Sequence, residues 1–94
     1  MITDSATFSL PPVMTLEDCE NLQAFFETAT DQSVSLDCSA VTRLNGLTAQ
    51  MIQMASGVWA RNDMPFTLKD PSPDFRQNLA TLGFDSLLSE EEAA

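Results

Sequence analysis

Ninety-four residues with 14 carboxylates, four basic side chains and no histidine give a net charge of −10. That length makes one small domain with a single core, too short to add a deep enzymatic cleft. Arg43, Arg61, Lys69 and Arg76 are too few and too scattered to neutralise a run of phosphates or to hold an anionic bilayer, so nucleic acid and membrane are set aside as partners. A basic or mixed protein surface is the complementary partner for such a chain. Acidity also serves solubility by itself, and the two readings stand side by side.

An apolar fraction of 44% is ordinary for a globular protein. No apolar run approaches the ~20 residues of a membrane span. Met1-Ile-Thr-Asp-Ser lacks the basic start and apolar middle of a signal peptide, so a cytoplasmic protein is expected. Cys19 and Cys38 are then expected as free, buried, small hydrophobes rather than a disulfide. The missing histidines remove the commonest general base, and no close cysteine pair offers zinc ligands. The carboxylates are spread along the chain without a marked acid/base pair. No catalytic residue, no cofactor and no metal is expected.

Ala6 to Leu10 alternates as a short edge strand, closed by Pro11-Pro12. Thr15 reads as an N-cap, with Glu17 and Asp18 in the first turn, where the helix dipole favours anions. The helix is predicted from Leu16 to about Thr28, with Cys19, Leu22, Phe25, Phe26 and Ala29 on one side. Val34 to Asp37 is the second strand. Asn45-Gly46 marks a turn, and a long apolar helix follows from Leu47 to about Arg61. Phe66 to Leu68 is the third strand. Ser72 and Pro73 suit the cap and first position of a last helix, which Gly83 ends. Glu90-Glu91-Glu92-Ala93-Ala94 reads as a solvated tail. Strand and helix alternate three times, which predicts an α/β layered fold with parallel neighbours joined by right-handed crossovers.

Two blocks carry a resemblance to a known family. The first is Val34 to Leu44, in the pattern V-x-L-D-x-S-x-V-x-x-L. The second is Asp70-Pro71-Ser72-Pro73, followed by Phe75-Arg76, Leu79 and Gly83-Phe84. Both, in register with each other, resemble the STAS domain, the sulfate-transporter and anti-sigma-factor-antagonist family. The likeness covers Val34 to about Leu88, and the N-terminal third matches only in layout. It implies a single STAS-like α/β domain over residues 1–94, with a core over 6–89 and an acidic tail over 90–94. It further implies a mixed, mostly parallel sheet of about four strands packed by three to four helices.

STAS domains that antagonise anti-sigma kinases read Asp-Ser-Ser-Gly-Leu before the long helix, with the first Ser phosphorylated. Here Asn45 stands for the Asp, Gly46 for that Ser, Leu47 for the second Ser, Thr48 for the Gly and Ala49 for the Leu. Gly46 has no hydroxyl, so the usual phospho-switch cannot operate at that position. Thr48 and Thr42 are the nearby hydroxyls, each more simply a helix-start or loop hydrogen bonder than a phosphoacceptor. Leu44 to Met51 is similar to a subgroup whose Leu-Gly-Gly-Leu-x-x-Gln-Val turn replaces the serine pair. That likeness implies a small bacterial protein that binds a chemotaxis histidine kinase.

The residues add an argument of their own. At about 100° per residue, Ala49, Ile52, Ala55 and Trp59 point one way, and Leu47, Met51, Met54 and Val58 form a second stripe beside them. The apolar arc spans about 240°, where a one-sided surface helix shows about 100–140°. The second stripe packs on a neighbouring helix or faces a partner. Trp59 is expected as a core anchor.

The expected function is a non-enzymatic signalling domain that docks a histidine kinase through Asn45, Gly46, Leu47, Thr48, Gln50, Met51 and Met54. The alternative is an anti-sigma-factor antagonist, binding an anti-sigma kinase and phosphorylated at Thr48 or Thr42. A lipid-transport accessory subunit or small-ligand-binding STAS domain is a third class. A monomer or weak homodimer is expected.

Overall fold

The computed structural model describes residues 5–84 and 86–88. In chain order it runs β1 (Ser5–Ser9), α1 (Leu16–Thr28), β2 (Ser33–Asp37), α2 (Gly46–Arg61), β3 (Phe66–Lys69) and α3 (Pro73–Leu82). Every predicted element within the described residues is present, with boundaries within one residue of those predicted. The predicted tail at 90–94 lies outside the described residues.

Local chemistry accounts for the helix ends. The Thr15 hydroxyl accepts from the Asp18 N–H at 3.1 Å, and the Asp18 carboxylate accepts from the Thr15 N–H at 2.9 Å, a reciprocal capping box. Ser72 Oγ accepts from the Phe75 N–H at 3.0 Å, and Pro73 follows, where no N–H is needed. Gly83 ends α3 at φ 85°, a left-handed conformation that an L side chain resists.

The sheet order is β1-β2-β3 and both pairs are parallel. This corrects the expected mixed sheet of about four strands: among the described residues there are three, all parallel. The chain itself supplies three strand-like runs, and the fourth came from the family layout rather than from another run here. Right-handed crossovers between consecutive parallel neighbours place α1 and α2 on one face. The register fits that arrangement. Ala6, Val34 and Phe66 form one row, and Phe8, Leu36 and Leu68 form another on the same face. The alternate rows, Thr7-Ser35-Thr67 and Ser9-Asp37-Lys69, are hydroxyl-bearing or charged. The sheet is therefore apolar on one side, unlike the continuous apolar strands of a parallel sheet covered on both faces.

Leu22, Leu36, Ile52, Phe75 and Leu79 are fully buried where the helices meet that face. A chain of rings, Phe8 to Phe25 to Phe26 to Trp59, joins β1, α1 and α2 at centroid spacings of 5.2, 5.8 and 5.8 Å. Trp59 is the core anchor predicted for it, with its Nε1–H donating to the Gln32 carbonyl at 2.7 Å. Cys19 and Cys38 are both buried, and no disulfide joins them.

Candidate functional site

Two loops lie side by side beyond the carboxyl ends of the strands, where open α/β sheets gather their functional loops. The loop at 10–15 joins β1 to α1, and the loop at 38–45 joins β2 to α2. The Thr42 and Arg43 N–H groups both donate to the Pro12 carbonyl, at 2.9 and 3.1 Å, and Val13 bridges Arg43. Asn45 caps α2: its Oδ1 accepts from the Thr48 N–H at 2.7 Å, and its Nδ2 donates to the Met14 carbonyl at 3.3 Å. The cap that starts α2 thus also ties it to the first loop.

The second motif block braces the same loop from α3. Ser72 Oγ donates to the Val41 carbonyl at 2.6 Å, and Asn78 Oδ1 accepts from the Leu44 N–H at 3.1 Å. Two blocks far apart in sequence are one constellation in space. Asp70 sits at φ 50°, a left-handed position that Asn and Asp tolerate better than most residues.

The predicted site residues fall into two groups. Gly46, Leu47, Gln50 and Met54 are exposed, Met51 is half-buried, and Asn45 is exposed with its side chain held by two hydrogen bonds. Thr48 stands apart. It is fully buried, its Oγ1 is 3.5 Å from Cys19 Sγ on α1, and its hydroxyl is out of reach of a partner or a kinase in this conformation. Thr42 is exposed, and its hydroxyl donates to the Pro12 carbonyl at 3.1 Å.

The second apolar stripe of α2 lies open rather than packed on another helix. Leu47 is 52% exposed, Met54 67% and Val58 38%. Beside it, a groove of about 200 Å³ separates α2 from α1, with Gln23 and Phe26 on one side, Met51, Met54 and Val58 on the other, and Trp59 in its lining. Gly46 has nothing within 4 Å of where a Cβ would stand, and its φ is not positive. The fold does not require glycine there.

Val13 and Leu16 were missed as members of this surface. They are 49% and 71% exposed and flank Met14, whose carbonyl Asn45 holds. The signal was present in sequence: both lie outside the buried stripe of α1, in a stretch from Ser5 to Leu16 without a charged residue.

Charge is distributed unevenly around the site. Between Arg43 and Arg61 there is no charged residue, whereas α1 carries Glu17, Asp18, Glu20 and Glu27. Hydrogen bonds from the backbone and hydroxyl of Thr15 hold the Asp18 carboxyl below its usual range. Those from Ser39 do the same for Asp37. Among the described residues no three His, Cys, Asp or Glu side chains come together as metal ligands. No described helix is long and apolar enough to cross a membrane.

A family model described as "Mlab, STAS domain" matches residues 3–89. Comparison with curated proteins and with solved structures finds no match. Domains of the matched kind are generally non-enzymatic regulatory modules that interact with other proteins. The match spans both motif blocks and the loops they brace, and on that basis the chain belongs to the STAS domain family.

Proposed function

We propose that this domain docks a signalling histidine kinase, of the kind that serves bacterial chemotaxis, through the start and outer face of α2. Asn45, Gly46, Leu47, Gln50, Met51 and Met54 form the contact surface, and Thr48 supports it from beneath. The observation that carries this reading is the open apolar stripe Leu47-Met54-Val58, which continues from position 46 on a chain of net charge −10. An apolar, charge-free surface in so acidic a protein is what a partner covers. With glycine at 46, no phosphoryl group can interrupt the contact at that position. The interface is then constitutive, or switched from the partner's side.

Gly46→Glu and Met54→Glu, both at exposed positions, should abolish co-purification with the chemotaxis histidine kinase of the same cell. Met51→Glu should do the same, with more loss of stability because Met51 is half-buried. Full retention of the kinase by all three variants would overturn the reading.

The exposed Thr42 keeps a second reading open, that of an anti-sigma-factor antagonist phosphorylated at that hydroxyl. The two separate on one measurement. Incubation with ATP and the cognate kinase followed by intact mass shows one added phosphoryl group, absent in Thr42→Val, only if the second reading holds.

A further inference from the structure

We infer that the groove between α1 and α2 receives an amphipathic helix of the partner, with its basic residues along the edge that faces α1. The inference rests on the docking reading and gives the partner segment a chemistry. The two lips of the groove differ. On α1, Glu20 and Glu27 are exposed, and at about 100° per residue they lie on the same side as Gln23, which lines the groove. Gln23 Nε2 donates to Glu27 Oε2 at 3.3 Å, which holds that carboxylate along the lip. On α2, the lip is Met54 and Val58, with no charge until Arg61. An occupant that fills the groove meets carboxylates on one edge and apolar surface on the other.

The dimensions fit a helix. From Leu47 to Val58 the open stripe advances about three turns, or about 16 Å. A helix of similar length can lay apolar side chains at i, i+3 or i+4, and i+7 along it. The groove's own space of about 200 Å³ holds one or two such side chains and falls short of the ~300 Å³ at which small-molecule pockets begin. Met51 and Met54, unbranched and polarizable, adapt to the shape of what enters.

A second copy of this chain does not offer that chemistry. Its α1 would bring Glu17, Glu20 and Glu27 against like charges, and its α2 brings no cation before Arg61. The four basic residues, at 43, 61, 69 and 76, form no row on any helix. The segment Glu90-Glu91-Glu92 carries the same sign of charge as that lip and does not complement it. The occupant is therefore a helix of another protein, apolar on one face and edged with Lys or Arg.

A direct test uses two Trp-free synthetic peptides, each an amphipathic helix with leucines at the spacing above. One carries lysines along a single edge, and the other carries glutamates in their place. Each is titrated into the isotope-labelled full chain, with backbone NMR shifts and Trp59 fluorescence as readouts. The lysine peptide should saturate with shifts centred on Gln23, Met51, Met54 and Val58. Its affinity should fall about tenfold or more for the glutamate peptide and for the Glu20→Lys/Glu27→Lys protein. Met54→Glu should lose the apolar contact. Absence of shifts in the groove, or equal binding of the two peptides, overturns the inference. Kinase binding lost in Gly46→Glu but kept in Met54→Glu and the double-lysine variant also overturns it, and leaves docking through the turn intact. Selective peptide binding by a chain that never retains the kinase overturns the kinase reading alone.

Discussion

Gly46 and Thr48 are two residues apart, and the fold treats them in opposite ways. Gly46 starts α2 in open space with an ordinary backbone, so a methyl group meets nothing and the unfolded chain loses freedom. Gly46→Ala is expected to stabilise the domain by about 0.5 kcal/mol, read as a higher urea midpoint at unchanged slope. If the partner backbone packs on that glycine, the same substitution weakens docking. Stability and binding then move in opposite directions at one position, which a residue kept for folding alone would not do. Thr48 has no exposure, and the Cys19 thiol is beside its hydroxyl. A charge placed there has neither water nor a counter-ion. Thr48→Glu is expected to cost at least about 3 kcal/mol, a large part of the stability of a domain this size. Thr42→Glu, at an exposed site, is expected to stay within about 1 kcal/mol of the parent in the same urea titration, since it forfeits only the bond to the Pro12 carbonyl. A phosphomimetic at 48 therefore reports on stability, whereas one at 42 reports on regulation. The identity of both residues was plain from the sequence and their exposure was not, because burial of Thr48 is set by α1, 29 residues away.

At the scale of elements, the helices were readable because their end signals are local. Thr15, Ser72, Pro73 and Gly83 each act within a few residues of themselves, and each does so in the fold. The α1 cap also has a pH signature. The Asp18 carboxyl sits below its ordinary value of 3.8 because the ionised form accepts from the Thr15 N–H and hydroxyl. A carboxyl lowered on folding stabilises the native state fully above its unfolded pKa, and that contribution disappears as pH falls through the lower folded value. The acid limb of the stability curve, below about pH 4, should therefore flatten in Asp18→Asn, checked by urea midpoints measured down through that range. The Asp37 carboxyl, held by Ser39, contributes with the same sign. Sheet composition was less readable. A strand needs a partner that its own residues do not name, so the number of strands was taken from the family layout and came out one too many for the described residues. The second stripe of α2 was ambiguous for the same reason: periodicity reports that a face is apolar, and only the neighbouring helix decides whether it is covered.

At the scale of the whole molecule, the separation of charge from apolar surface predicts how a partner arrives and how it leaves. Among the described residues the carboxylates lie on α1, in the loop after it, at the end of β2, and on the loops and helix start around β3 and α3, while the sequence from 44 to 60 carries none. On the docking reading, long-range attraction of a basic partner comes from the first set, and close contact is centred on the second. Screening acts on the first alone. The screening length falls from about 30 Å at 0.01 M salt to about 3 Å at 1 M, which spans the distance from direct contact to nearly the full width of this domain, 38 × 31 × 19 Å along its principal axes. The association rate with the kinase is therefore expected to fall by about tenfold or more across that range, with a nearly constant dissociation rate, in surface-binding kinetics at several salt concentrations. Met54→Ala should show the opposite division. It removes buried apolar contact and no charge, so the dissociation rate rises while the salt dependence of association is unchanged. An association rate indifferent to salt would place the contact on the uncharged face without steering from α1. A salt-sensitive dissociation rate would mean that the carboxylates are inside the interface rather than around it.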